Sequence, residues 1–163
     1  MNDTINTVAP DQKLVTRTGQ TKFDRILVAT DFSPQAARAV EYSARLAERL
    51  GAQLTLLHVV PEPSAIDYPV EGIPLEEVGR WQDEARKQLD EEVKRIKASY
   101  PRTDSIQRTA FSPRDEIVKV AAGLRADILV LSTHGLTGWK HFLLGSYAEK
   151  ILEHCSCPTL VVK

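Results

Sequence analysis

ILVLSTHGLTGWKHFLLGS, residues 128–146, carries the reading of the whole chain. It opens on an apolar β-type run, Ile128-Leu129-Val130-Leu131, passes through small polar residues, and reaches Gly135-Leu136-Thr137-Gly138. Gly145-Ser146 then starts a helical pattern. A strand, a glycine loop and a helix start allow backbone N–H groups to converge on an anion. Three of the eight glycines lie between Gly135 and Gly145, where close backbone approach to a ligand needs them. The stretch is a candidate phosphate site.

Working outward, strands and helices alternate. Residues 1–22 are polar and lack sustained periodicity, which predicts a mobile tail followed by one domain over 23–163. Phe23–Ala29 reads as a first strand, and Ser33-Pro34 as a helix start with Ser as N-cap and Pro in the first turn. Ala36, Ala37, Val40, Ala44, Ala47 and Leu50 form that helix's apolar stripe, and Gly51 stops it. Leu54–Val60 is a second strand, ended by Pro61 and Pro63, with a loop to Pro74. From Leu75 to Ser99 the period is helical, with Val78, Ala85, Leu89, Val93 and Ile96 inward and the charged residues read as solvated surface. A weak third strand over 105–111, a short helix after Ser112-Pro113, a strand Asp127–Ser132, a helix Ser146–His154 and a strand Thr159–Val162 complete the order.

Such alternation with fully apolar strands predicts an α/β fold, a parallel sheet covered by helices on both faces. Ligands in these sheets sit at the carboxyl ends of strands, where the strand order reverses. Two strand ends carry reactive or polar groups: Thr30-Asp31 after the first, and Ser132 to Gly135 after the fourth.

Bulk properties narrow the function classes. With 42% hydrophobic and 26% charged residues the chain is an ordinary globular sequence, and its net charge of −1 gives no reason to expect nucleic acid or an anionic membrane as partner. No run approaches the roughly 18 apolar residues of a membrane span, and the N-terminus lacks a secretory apolar segment, so the expected location is cytoplasmic. Cys155 and Cys157 flank Ser156 beside His154. Zinc normally takes four ligands and no second Cys/His cluster exists, so the pair reads as small buried hydrophobes opening a strand.

At this point the chain resembles the universal stress protein family, in its nucleotide-binding branch. The family signature is Gly, two residues, Gly, nine residues, Gly, then Ser or Thr. Here Gly135 is followed by nine residues, Leu136 to Leu144, and by Gly145-Ser146, while Ser132 stands at the first glycine position. ATDFS after the first strand, LHVV in the second, ADILVLSTHG and CPTLVV match in order. Tyr147 departs from the small or β-branched residue common there.

The resemblance implies a Rossmann-like five-stranded parallel sheet in the order 3-2-1-4-5 and an ATP or other adenine nucleotide site, with Mg²⁺ on the phosphates. Ala29, Thr30 and Asp31 would line the adenosine side, Val59 would hold the adenine edge through its backbone, and Leu131 and Ser132 would border the ribose. His134, Gly135, Gly145, Ser146 and Tyr147 would surround the phosphates. Asp31 could instead cap the following helix, and His134 could merely brace the loop. His58, inside an apolar strand, reads as a hydrogen-bonded core histidine. No P-loop lysine motif and no nucleophile elbow is present, so no catalytic residue is assigned; the resemblance implies a regulatory nucleotide-binding module in stress response. A slow ATPase at the same site and a non-nucleotide interaction protein are the alternatives. The last strand, at the sheet edge in the implied order, is expected to pair with a second copy in a homodimer.

Overall fold

The computed structural model describes residues 23–62, 75–133 and 146–163. The tail assigned to 1–22 and most of the loop before Pro74 lie outside the described residues. The elements are β1 (Arg25–Ala29), α1 (Pro34–Leu50), β2 (Gln53–Pro61), α2 (Leu75–Lys97), β3 (Thr103–Ala110), α3 (Pro113–Leu124), β4 (Ile128–Ser132), α4 (Ser146–His154) and β5 (Thr159–Val162). All strand pairs are parallel, in the order β3-β2-β1-β4-β5. The expected fold class and strand order therefore stand.

Alternation along the strands divides the core. Ile26, Val28, Leu54 and Leu56 face α1 and α2, where they pack with Val40, Leu89, Val93 and Ile96. Leu27, Leu57, Val59, Leu129 and Leu131 face Ile117, Val120 and Ala121 of α3 and Ile151 of α4. Both faces of the central strands are thus largely dry, which is why apolar residues occupy both faces of β1, β2 and β4. No described helix is long and apolar enough to cross a membrane.

The helix starts follow their signals. Ser33 Oγ accepts from Ala36 N–H and Ser112 Oγ from Asp115 N–H, each before a proline. Gly51, at φ 66°, closes α1 in the left-handed conformation that a Cβ disfavours. Leu50 departs from the expected stripe: it is 38% exposed, and the inward places go to Ala39 and Ser43 instead. Ser43 is tolerated there because its hydroxyl donates to Ala39 O.

Strand boundaries moved by one or two residues, and one shift has a clear cause. β2 runs through Pro61, a residue expected to stop it. Gln53 N–H donates to Asp24 O on the β1 side, whereas Leu54 and Glu62 donate toward β3. Odd-numbered residues of β2 therefore point at β1, which ends four residues before Pro61's level. Proline's missing N–H falls on a side with no strand to pair with.

Tyr100, buried just after α2, ties two segments together. Its hydroxyl lies 3.1 Å from Ala47 O and 2.5 Å from Ala52 O, bracketing the Gly51 cap. Tyr100→Phe leaves those buried carbonyls without this donor and is expected to cost about 1–3 kcal/mol. A urea midpoint that falls with an unchanged slope would check this; an unchanged midpoint would show that the cap holds without the tyrosine.

Candidate functional site

β1 and β4 are neighbours, with Val28 opposite Val130, so Thr30 and Ser132 stand at one level beyond the last paired residues. The two polar strand ends thus open on one crevice at the point where the strand order reverses, the expected place for a ligand. Ala29 ends β1, Thr30 is buried and Asp31 is half-buried beside it. Leu131 is buried, and Ser132 ends β4 half-buried. Ser146 and Tyr147 are the first two residues of α4. His134, Gly135 and Gly145 lie outside the described residues.

The loop after β1 is held from several sides. Thr30 N–H donates to Leu57 O at 2.9 Å, the last rung from this strand to β2. Thr30 Oγ1 accepts from Phe32 N–H at 3.2 Å and donates to Glu92 Oε2 at 3.3 Å. Asp31 Oδ1 accepts from Ser33 N–H at 3.0 Å, while Ser33 caps α1. The cap is therefore Ser33, and Asp31 braces the cap residue. Phe32 sits at φ 62°, a conformation costly for a bulky side chain and kept only where surroundings over-determine it. Its ring lies 4.3 Å from that of His58, measured between centroids.

His58 takes the place of the next ladder rung. Its Nδ1 lies 2.8 Å from Thr30 O. A carbonyl oxygen only accepts, so Nδ1 carries the proton and the neutral ring keeps Nε2 as a bare acceptor. Burial holds the His58 pKa below its ordinary 6.5, against the raising effects of the Thr30 bond and the Asp31 charge. The alternation that lets Pro61 into β2 also points the N–H and C=O of Val59 toward the β1 side, beyond that strand's end. A donor and an acceptor from one residue thus face the crevice.

The lowered His58 pKa has a measurable consequence. Below pH 6.5 the unfolded chain binds the proton more readily than the folded one, so this contribution to stability is present above 6.5 and is lost as pH falls through the lower folded value. Glu92 acts in the opposite sense: burial raises its pKa from 4.5, so the folded chain gains relative stability as pH falls through the raised value. Comparing the wild type with His58→Gln isolates the first effect. The stability advantage of the wild type in denaturant melts is expected to shrink as pH drops below 6.5; a pH-independent difference would contradict it.

Two residues of this region were not singled out from sequence. Phe32 gives no signal, since positive φ is ordinarily betrayed by glycine or asparagine. Glu92 was grouped with the solvated face of α2, yet its side chain is only 11% exposed. It lies three residues after Leu89 and four before Ile96, on the inward stripe, so periodicity could have found it. Burial dominates its raised pKa, while the Thr30 bond and Arg95, 3.8 Å away, lower it and Glu41 raises it. Arg95 also pairs with Glu41 of α1, so the carboxylate joins both helices to the loop.

A sequence model of the universal stress protein family matches residues 22–163. The universal stress protein MJ0531 of Methanocaldococcus jannaschii is 28% identical over 149 residues, covering 91% of this chain and 87% of its own. The solved structure of MJ0577 from the same organism superposes with a TM-score of 0.69 at 27% identity, covering 87% of this chain and 96% of that one. A universal stress protein crystallised in complex with cAMP has the same fold, with a TM-score of 0.61, 24% identity, and coverage of 88% and 98%.

Proposed function

Since the chain belongs to the universal stress protein family, we propose that it binds an adenine nucleotide, ATP foremost, between the carboxyl ends of β1 and β4. The observation that carries this reading is the Val59 backbone, whose donor and acceptor face the crevice past the end of β1. An adenine edge offers the complementary acceptor and donor. Ala29, Thr30 and Asp31 would line the adenosine side, with Leu131 and Ser132 along the ribose. The phosphates, carrying Mg²⁺, would lie toward Ser146 at the start of α4, within reach of His134, Gly135, Gly145 and Tyr147. Support for the phosphate end comes from the signature spacing and from the affinity of helix N-termini for anions. That a protein of this fold holds cAMP is consistent with an adenine ligand. On this reading the protein is a cytoplasmic regulatory module whose bound nucleotide is its signal in stress response.

Thermal melts test it. Binding to the folded state alone stabilises by about 2.7 kcal/mol at a hundredfold excess over Kd, roughly 2–4 °C in Tm for each kcal/mol. An ATP-dependent rise of that order is expected. No rise, with no nucleotide released from the purified protein, would favour the interaction-protein alternative.

A homodimer through β5 belongs to the same reading. The carbonyls of Pro158 and Val162 accept from β4, so alternation turns the N–H and C=O groups of Thr159 and Val161 outward at the sheet edge. Every residue of the strand is half-buried. Antiparallel pairing with the same strand of a second copy would satisfy those groups about a two-fold axis. Light scattering of the full chain at micromolar concentration is expected to give a dimer mass, abolished by deleting residues 160–163. A monomer mass would sink the pairing.

A further inference from the structure

Outside the crevice, the densest reactive chemistry is the turn between α4 and β5. Cys155 and Cys157 are both free and half-buried, and their Sγ atoms lie 3.3 Å apart. The pair is held by its flanks. Cys155 N–H donates to Ile151 O at 2.8 Å, fixing it to the last turn of α4. Beyond Cys157, Pro158 O accepts from Leu129 N–H at 2.9 Å, and Thr159 Oγ1 donates to Cys157 O at 3.4 Å. The cysteines stand in this turn and not in β5, so the strand geometry expected from sequence does not set their approach. Their side chains do pack against the core on the α3 and α4 face, as small hydrophobes would.

Among the described residues no three His, Cys, Asp or Glu groups cluster around the pair. His154 is exposed, and its Nδ1 donates to Lys150 O at 2.8 Å. Two thiols in contact have another chemistry open to them. A disulfide needs the sulfurs to close to about 2.05 Å, and here the backbone on both sides already holds them within contact.

We propose that Cys155 and Cys157 form a reversible thiol–disulfide centre, closed by exchange with a small disulfide of the glutathione class. The step has two stages. One cysteine of the pair, as its thiolate, attacks one sulfur of the small disulfide, breaking its S–S bond, forming a mixed disulfide and releasing one small thiolate. The other cysteine then loses its proton to solvent and attacks the sulfur of the first, expelling the second small thiolate and closing the ring, and the two released thiolates take up the two protons that the protein thiols gave up. Two protein thiols are oxidised and one small disulfide is reduced to two thiols. Burial and the neighbouring Cys155 push the Cys157 thiol up to about 12, so the pair rests as thiols until an exchange partner arrives. A ring with one intervening residue is small, which favours easy reduction and hence reversibility. Ring closure would stiffen the connection between α4 and the edge strand. The proposal does not depend on nucleotide binding.

The test uses the full chain, reduced and then treated with oxidised glutathione. Its two free thiols are expected to vanish while the mass falls by about 2 Da relative to the reduced chain, with no cross-linked species, and dithiothreitol should reverse the change. Cys157→Ser and Cys155→Ser should each stop at one glutathione adduct on the cysteine that remains. Stable adducts on both cysteines of the wild type, a disulfide between chains, or thiols that survive an oxidant excess sufficient to oxidise a simple dithiol would each overturn the proposal.

Discussion

Gly145→Asp is expected to weaken ATP binding at least about tenfold, equivalent to about 1.4 kcal/mol, while the chain still folds. Residue 145 directly precedes Ser146, the first residue of α4. The N-terminus of that helix carries partial positive charge and unpaired N–H groups, which suit a polyphosphate. An aspartate there competes with the ligand for the same field, an effect of roughly 0.3–2 kcal/mol, and its side chain adds steric exclusion to the charge. The fold should tolerate the change, because an acidic residue before a helix is a favourable cap. Calorimetry on the variant, with a thermal melt to show that it is folded, checks both halves. Unchanged affinity would remove this loop from the site.

The fold was largely legible because its signals are local and physical. The short, mostly apolar runs of β2 and β4, each bounded by turn residues, read as strands with two dry faces, and Ser33-Pro34 and Ser112-Pro113 mark helix starts by chemistry alone. Pro61 reads as a stop in the sequence because its place depends on which way a missing N–H points, and that is set by where β1 ends. Leu50 was assigned inward by period, but it is the last residue of its helix, where the stripe runs out into solvent.

The site was legible in parts. Thr30 and Asp31 stand out as polar residues closing an apolar strand, and the structure brings Thr30 level with Ser132. The bonds that shape their loop were not readable. They depend on Glu92, a charged residue on a buried stripe, and on Phe32, a phenylalanine in a conformation its sequence does not advertise. The Thr30–Glu92 contact joins residues 62 positions apart, a tertiary fact that no local pattern encodes. His58 was expected to be hydrogen-bonded within the core, and it is, by way of the Thr30 carbonyl.

The second large effect is discrimination between bases. If the Val59 N–H and C=O receive the adenine edge, guanine presents its donor and acceptor in reverse. Each buried group then left unpaired costs about 1–3 kcal/mol, so GTP should bind at least about tenfold more weakly than ATP. The phosphates are identical in the two ligands, which isolates the base from the phosphate loop. A Gly145→Asp effect without base discrimination would mean that only the triphosphate is recognised.

Calorimetric titration of nucleotide-free protein with ATP, and in parallel with GTP, tests adenine-nucleotide binding most directly. The expected result is saturable binding of one ATP per chain, with GTP at least about tenfold weaker. No saturable heat with ATP, or equal affinity for the two nucleotides, would contradict it.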